Sequence, residues 1–149
     1  MVDIPLLVAN ITGAKPEEWA HAELDRSLPA KVIEHLVHLI ATVSPGAKKG
    51  STAPYAFSNT VLLEAGTRQP RSLASAFESP VRATRDSSLS RLAESALFDR
   101  LRAIDRAYGG DETRRFLSLS SDAVDGLDGP HSIDALASWA AERVRSATV

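Results

Sequence analysis

The strongest constraint on this chain is the run from Leu89 to Tyr108. Leu89, Leu92, Ala93, Ala96, Leu97, Leu101, Ile104 and Tyr108 recur there at helical spacing, and an α-helix turns all of them to one side. Asp86, Ser87 or Ser88 can accept from its free amino-terminal N–H groups, and Gly109 with Gly110 stops it. An amphipathic helix of that length needs an apolar surface to lie against. With 149 residues and 44% hydrophobic content the chain can supply one, which places a single domain at 1–149.

The remaining elements follow from shorter patterns. Ile4, Leu6, Leu7, Val8 and Ile11 form an apolar run broken by Pro5 and closed by Gly13, which reads as an edge strand over Val2 to Ile11. Lys15 to Arg26 reads as a short helical turn or loop. Ser27 is placed as the cap of a helix over 28–43, in which Val32, Ile33, Leu36, Val37, Ile40 and Val43 recur. Ser44 to Pro54 holds two prolines, two glycines and two lysines with almost nothing apolar, so it reads as a loop. Val61, Leu62 and Leu63 mark a buried strand within Tyr55 to Ala65, and Leu73 to Phe77 reads as extended before Pro80. Alternation from Thr113 to Ser121 predicts another strand, and Ser132 caps a final helix built on Ile133, Leu136, Trp139 or Ala140, and Val144. The expected order is β, α, β, β, α, β, α, an α+β domain in which helices cover a small sheet.

Composition excludes several chemistries. Without cysteine there is no disulfide framework, cysteine zinc site or thiol nucleophile. No stretch carries the roughly 20 unbroken apolar residues of a membrane span, and the apolar start lacks the basic flank of a signal peptide, so the expectation is a soluble cytoplasmic protein with no membrane partner. No G-x-S-x-G elbow accompanies the serines, and His131, though near several aspartates, has no triad context. His35 and His38 lie one helical turn apart, but the glutamate precedes them and H-E-x-x-H is absent. Asp122, Asp125 and Asp128 recur every third residue where a calcium loop needs alternate ligands and a closing glutamate. In the loop around Gly46 to Thr52, lysine precedes the second glycine, the reverse of a P-loop. The expectation is therefore no enzyme, no metal and no cofactor.

The net charge of -2 conceals an uneven distribution. Residues 44–85 hold Lys48, Lys49, Arg68, Arg71, Arg82 and Arg85 against only Glu64 and Glu78, while both flanks are acidic. A positive block of this kind attracts a phosphate backbone by displacing its condensed counterions. The loop from Ser44 to Ala53 adds flexible glycines, hydroxyls and free backbone donors, which are the groups that hold phosphates without reading bases. The same residues also suit a solvated connection whose lysines keep it soluble.

The stretch Pro45, Gly46, Ala47, Lys48, Lys49, Gly50, Ser51, Thr52, Ala53 resembles the P-x-G-K-Q-N-S-F-A loop of the CasC-type backbone subunit of type I-E CRISPR Cascade, with Lys48, Ser51 and Ala53 on matching positions. More specifically, Arg68-Gln-Pro-Arg-Ser-Leu-Ala-Ser-Ala-Phe-Glu-Ser-Pro-Val81 is similar to that family's R-Q-P-L-S-L-A-N-A-F-E-K-P-V segment. Val2 to Ile11 and Asp105 to Gly109 are similar more weakly. Lys49, Gly50 and Thr52 stand where the family has glutamine, asparagine and phenylalanine, so contacts made by those side chains are not carried over. The resemblance covers most of this chain but only the carboxyl-terminal part of the family, as a fragment, a split gene product or a shortened relative would.

The resemblance implies a partial RRM-like, ferredoxin-like sheet packed with helices, in a non-catalytic subunit that self-associates along CRISPR guide RNA (crRNA) for antiviral defence. Its partners would be the guide RNA, the other Cascade subunits, further copies of itself and, through the guide, target DNA. A grip on the backbone suits any guide sequence and leaves the bases free to pair. On this reading Lys48 is the leading phosphate contact, followed by Lys49, Ser51 and Arg71. Arg68, Arg82 and Arg85 suit subunit contacts equally well, and Phe77 belongs to the core. The alternative is a protein-interaction module that has lost RNA binding through truncation.

Overall fold

The structure, a computed structural model, describes residues 1–21, 23–43, 57–121 and 123–147. It is an α+β fold whose elements run α1 (Ile4–Thr12), a 3-10 turn (Pro16–Glu18), α2 (Ser27–Thr42), β1 (Thr60–Ala65), a second 3-10 turn (Ala74–Phe77), α3 (Leu89–Tyr108), β2 (Thr113–Ser118) and α4 (Ile133–Arg145). The expected loop over Ser44 to Pro54 lies outside the described residues. Two compact units divide the chain: Met1–Ser58 with Ser132–Val149, and Asn59–His131.

The first unit is helical. Its opening segment is α1 and not the expected edge strand, and the reason lies at its ends. The Asp3 carboxylate accepts from the Leu6 N–H at 3.0 Å, Pro5 occupies a first-turn position where no N–H is required, and Gly13 closes the helix at φ 77°, donating to the Ala9 carbonyl at 2.9 Å. These caps bound a short helix in which Ile4, Leu7, Val8 and Ile11 recur at i, i+3, i+4 and i+7, and Ile4, Leu7 and Val8 pack on the core. The expected Ser27 cap is also revised. Ser27 is already helical, the cap position is Arg26, and the Ser27 N–H donates to Asp25 Oδ1 at 2.9 Å. Buried Val8, Ala30, Ile33, Ala141 and Val144 form the core, with Ile4, Leu7, Trp19 and Leu24 packed around it. Alanines at 30, 41, 137 and 141 are all buried, so the backbones of α2 and α4 come close. The two helices run antiparallel: Arg145 Nη2 lies 3.7 Å from Glu34 Oε2, and His38 Nε2 lies 3.6 Å from Asp134 Oδ1.

The second unit is a hairpin-like sheet covered by one long helix. β1 and β2 pair antiparallel, from Thr60 opposite Ser118 to Ala65 opposite Thr113. α3 has the limits its stripe predicts, with Ser88 Oγ accepting from the Arg91 N–H at 3.3 Å and Gly109 as its carboxyl-terminal cap at φ 79°. Phe98 and Leu101 of α3 meet Phe116 of β2, and Leu62, Leu73, Val124 and Leu127 close the cluster. The Phe98 and Phe116 rings meet edge to face at 5.3 Å, an arrangement worth about 1 kcal/mol beyond its buried area. Two expectations are corrected here. Leu73 to Phe77 is not extended: it forms the second 3-10 turn, started by Ser72 Oγ accepting from the Ala74 N–H at 3.2 Å. β2 stops at Ser118 and not Ser121, because Ser118 Oγ accepts the N–H groups of Ser120 and Ser121 at 2.9 and 2.8 Å and turns the chain out of the ladder.

Candidate functional site

The residues singled out for RNA binding fall into two groups. Lys48, Lys49 and Ser51 lie outside the described residues. Arg71 is described, and it belongs to a network of charges in the second unit.

Local structure assembles that network from four places in the sequence. Glu64 projects from the end of β1, Arg71 from the stretch after the following turn, Asp105 from the last turns of α3, Glu112 from the residue just before β2 and Arg114 from its start. Opposite register sets Glu64 directly across from Arg114, and Arg114 Nε approaches Glu64 Oε2 at 2.6 Å. The rest of the Arg114 guanidinium forms a two-pronged contact with Asp105, Nη1 to Oδ2 at 2.6 Å and Nη2 to Oδ1 at 2.9 Å. Such paired contacts use the fixed fork of arginine and the two oxygens of a carboxylate. Arg71 reaches the same three acids: Nη2 lies 3.2 Å from Glu64 Oε2 and 2.7 Å from Glu112 Oε2, and Nη1 lies 3.0 Å from Asp105 Oδ1. Gly66 is needed at the turn, since a Cβ there would come within 2.6 Å of Glu112 Cγ.

Burial makes these contacts matter. The side chain of Glu112 is only 6% exposed and that of Arg71 18%. Burial pushes the Asp105 carboxyl up, but the hydrogen bonds and charges of Arg114 and Arg71 together outweigh it and hold the group below the ordinary carboxylate value. Burial works against the charged forms of Arg114 and Arg71 as well, and their carboxylate partners more than compensate, raising both. A phosphate approaching Arg71 therefore competes with three carboxylates already in place.

Arg68 stands at the edge of this network. It donates through Nη1 to the carbonyls of Tyr108 and Gly109 at 3.0 and 3.2 Å, satisfying the end of α3, and its Nη2 lies 3.0 Å from Asp111. Arg82 and Arg85, in contrast, are exposed in the segment before α3, and neither is in an ion pair among the described residues. Phe77, expected in the core, is half exposed in its 3-10 turn. That expectation is corrected: Leu73, at the start of the turn, packs on the cluster around Phe116, and Phe77 does not.

Sequence reasoning did not find Glu94. This residue is 3% exposed on the inner face of α3, and its Oε2 accepts from the hydroxyls of Thr60 and Ser118, each at 2.7 Å. Burial raises the Glu94 carboxyl, whereas the hydroxyls of Ser121, Thr60 and Ser118 and the charge of Arg91 lower it, and the net effect is downward. The pattern that could have revealed it is a glutamate inside the apolar stripe of a long helix. Glu94 also contributes to an open cleft of about 410 Å³ lined on one side by Arg91, Ser95, Phe98 and Arg102 of α3 and on the other by Ser121, Ala123, Val124 and Asp125. Of the aspartates near His131 in sequence, Asp128 is in contact with it, with Nε2 3.0 Å from Oδ1, and Asp128 also pairs with Arg115 at 2.9 Å.

Among the described residues no helix is long and apolar enough to cross a membrane. No curated protein matches the chain. A family profile described as CT1975-like protein matches residues 1–139, nearly the whole length. The chain belongs to this CT1975-like family of CRISPR-associated proteins.

Proposed function

We propose that this protein is a non-catalytic scaffold subunit of a Cascade-type antiviral interference complex, working in the cytoplasm, where copies associate and hold guide RNA by its backbone. The observation that carries this reading is the family match over residues 1–139, which supports a place in a CRISPR system. The finer role rests on the two stretches that resemble the backbone subunit, Pro45 to Ala53 and Arg68 to Val81, and on the positive block that contains them.

The geometry sharpens how the block would be used. Arg68 and Arg71 are matched by acids and carbonyls, so their charge is largely spent on holding the second unit together. Phosphate contacts then fall to Lys48, Lys49 and Ser51, with Arg82 and Arg85 as exposed cations that add long-range attraction. In this reading Arg71 acts through the fold, and its removal weakens binding by loosening the network.

Titration of single-stranded RNA against salt tests the role. The expected log affinity falls with log salt at about 0.7 per phosphate contacted, and changing both Lys48 and Lys49 to Ala lowers that slope by roughly 1.4. An unchanged affinity and slope in the double variant would overturn the loop assignment. A second reading, a protein-interaction module without an RNA grip, is favoured by the neutralisation of Arg68 and Arg71. It predicts no salt-dependent RNA binding at all, and association with other subunits that survives the lysine changes.

A further inference from the structure

The cleft beside α3 in the second unit carries charges in an order that the fold itself does not use. Arg91, Glu94 and Arg102 follow one another along the wall that α3 contributes. Their spacings correspond to about 4.5 and 12 Å of helix rise, so positive, negative and positive charge alternate along an open groove. Phe98 and Leu92 on the same wall, with Val124 opposite, add apolar surface. Glu94 is the unusual member. Its Oε2 accepts from the hydroxyls of Thr60 and Ser118, whereas Oε1, on the same buried side chain, has no hydrogen-bond partner among the described residues. Burial works against its charge, but the hydroxyls of Ser121, Thr60 and Ser118 and the Arg91 guanidinium outweigh it, so near neutral pH the group is ionised. A buried acceptor without a donor is costly, and folded proteins hold few of them.

The chemistry of the walls says what fits. An ionised carboxylate in a partly apolar wall is best met by a charged donor. A guanidinium suits it better than an ammonium, because its planar set of donors can reach Oε1 and also meet the hydroxyls of Ser95 and Ser121, and it gives up water more readily. A lone cation would be repelled by the two arginines beside Glu94. Arg91 is exposed and in no ion pair among the described residues, and the contact of Arg102 with Asp99 at 2.8 Å is a weak surface pair, so both can accept carboxylates. In an extended chain alternate residues face the same side about 6.6 Å apart. An arginine on Glu94 then sets acids two residues to either side, toward Arg91 and toward Arg102. A phosphate backbone has no cationic donor for Glu94 and meets a further carboxylate, Asp125, on the opposite wall.

We propose that this cleft is the docking site for an extended segment of a different protein, in which an arginine seats on Glu94 and acidic residues two positions to either side seat on Arg91 and Arg102. The chain itself contains no acid-x-arginine-x-acid pattern, so a second copy does not supply the segment. Small rotations of the exposed Arg91 and Ser95 side chains at the rim are enough to admit it. The site uses none of the residues assigned to phosphate contact, and its failure leaves the guide-RNA reading untouched.

The probe is the capped peptide Glu-Leu-Arg-Leu-Glu, which presents the same order of charges in either direction, titrated into the isotope-labelled full chain and followed by NMR. Amide shifts are expected in residues 87–102 and 121–125, with a Kd of about 0.1–1 mM, as a short flexible peptide allows. Two changes need no variant protein: glutamine in place of the peptide's arginine, and the rearranged peptide Leu-Glu-Glu-Leu-Arg, each binding at least about tenfold more weakly. Arg91→Glu, at the exposed rim, weakens the original peptide to a similar degree with an unchanged thermal melt, whereas Arg85→Glu, outside the cleft, leaves it as it was. No binding by the full chain, shifts confined to other residues, equal binding of the rearranged peptide, indifference to Arg91→Glu, or displacement of the peptide by single-stranded RNA would each overturn the proposal.

Discussion

The two units are held together by different physics. The helical unit closes on Val8, Ala30, Ile33, Ala141 and Val144, and among its described residues the ion pairs lie at the rim. The strand unit has a smaller apolar cluster, Phe98, Leu101 and Phe116, flanked by Arg71, Arg114, Glu64, Asp105 and Glu112 and by the buried carboxylate of Glu94. Apolar burial is indifferent to pH and strengthened by excluded salts, whereas a partly buried charge network depends on every member keeping its charge. The contrast places the acid-sensitive half of the molecule where the family-like segment Arg68 to Val81 lies.

Substitutions should separate the two. Phe116→Ala removes the fully buried centre of the strand unit and is expected to cost about 3–5 kcal/mol, read as lost amide protection in β1 and β2. Arg114→Ala strands three carboxylates around Arg71, and a cost of about 3 kcal/mol near neutral pH is expected. That cost should shrink as pH falls below the ordinary range of Asp105, whose carboxyl Arg114 holds down, because the stabilisation from that depressed group is lost there. Val144→Ala, in the helical unit, should cost about 2 kcal/mol at neutral and acid pH alike. An Arg114→Ala cost as constant with pH as that of Val144→Ala would break the comparison. The caps give the smallest effects: Ser88→Ala and Ser132→Ala should each cost about 1 kcal/mol, one in each unit, and neither should depend on pH.

Acid alone gives the same comparison without mutation. Asp105 and Glu94 are both held below their ordinary values of 3.8 and 4.5. A carboxylate whose folded-state value is depressed stabilises the fold fully above its unfolded value and loses that contribution as pH falls toward the folded one. Below about pH 4 the strand unit should therefore lose amide protection first. Both tryptophans, Trp19 and Trp139, belong to the helical unit, so their fluorescence reports that unit alone and should change later.

Local signals were the readable ones. Ser88, the apolar stripe and Gly109 mark α3 from end to end, and Val61 to Leu63 mark β1. α1 carried its own signals in Asp3, Pro5 and Gly13 and in Ile4, Leu7, Val8 and Ile11, which recur at i, i+3, i+4 and i+7, and the strand reading gave the break at Pro5 more weight than that period and the caps. The charge network was illegible for a different reason. Glu64 and Arg114 are 50 residues apart, and Arg71 and Glu112 are 41 apart, so no local pattern joins them. An arginine in a basic block looks the same in sequence whether it faces a phosphate or three carboxylates. The candidate site was thus legible as a charge distribution and not as a set of partners, and Lys48, Lys49 and Ser51 carry the part that lies outside the described residues.

Photo-crosslinking of the intact protein to single-stranded RNA of two unrelated sequences, followed by mass spectrometric mapping, tests the central claim most directly. The account predicts crosslinks concentrated in residues 44–56 with both RNAs alike, and none at Arg71 or Arg114. Crosslinks confined to the Arg71 network, a dependence on which RNA is used, or no crosslink at all would contradict it.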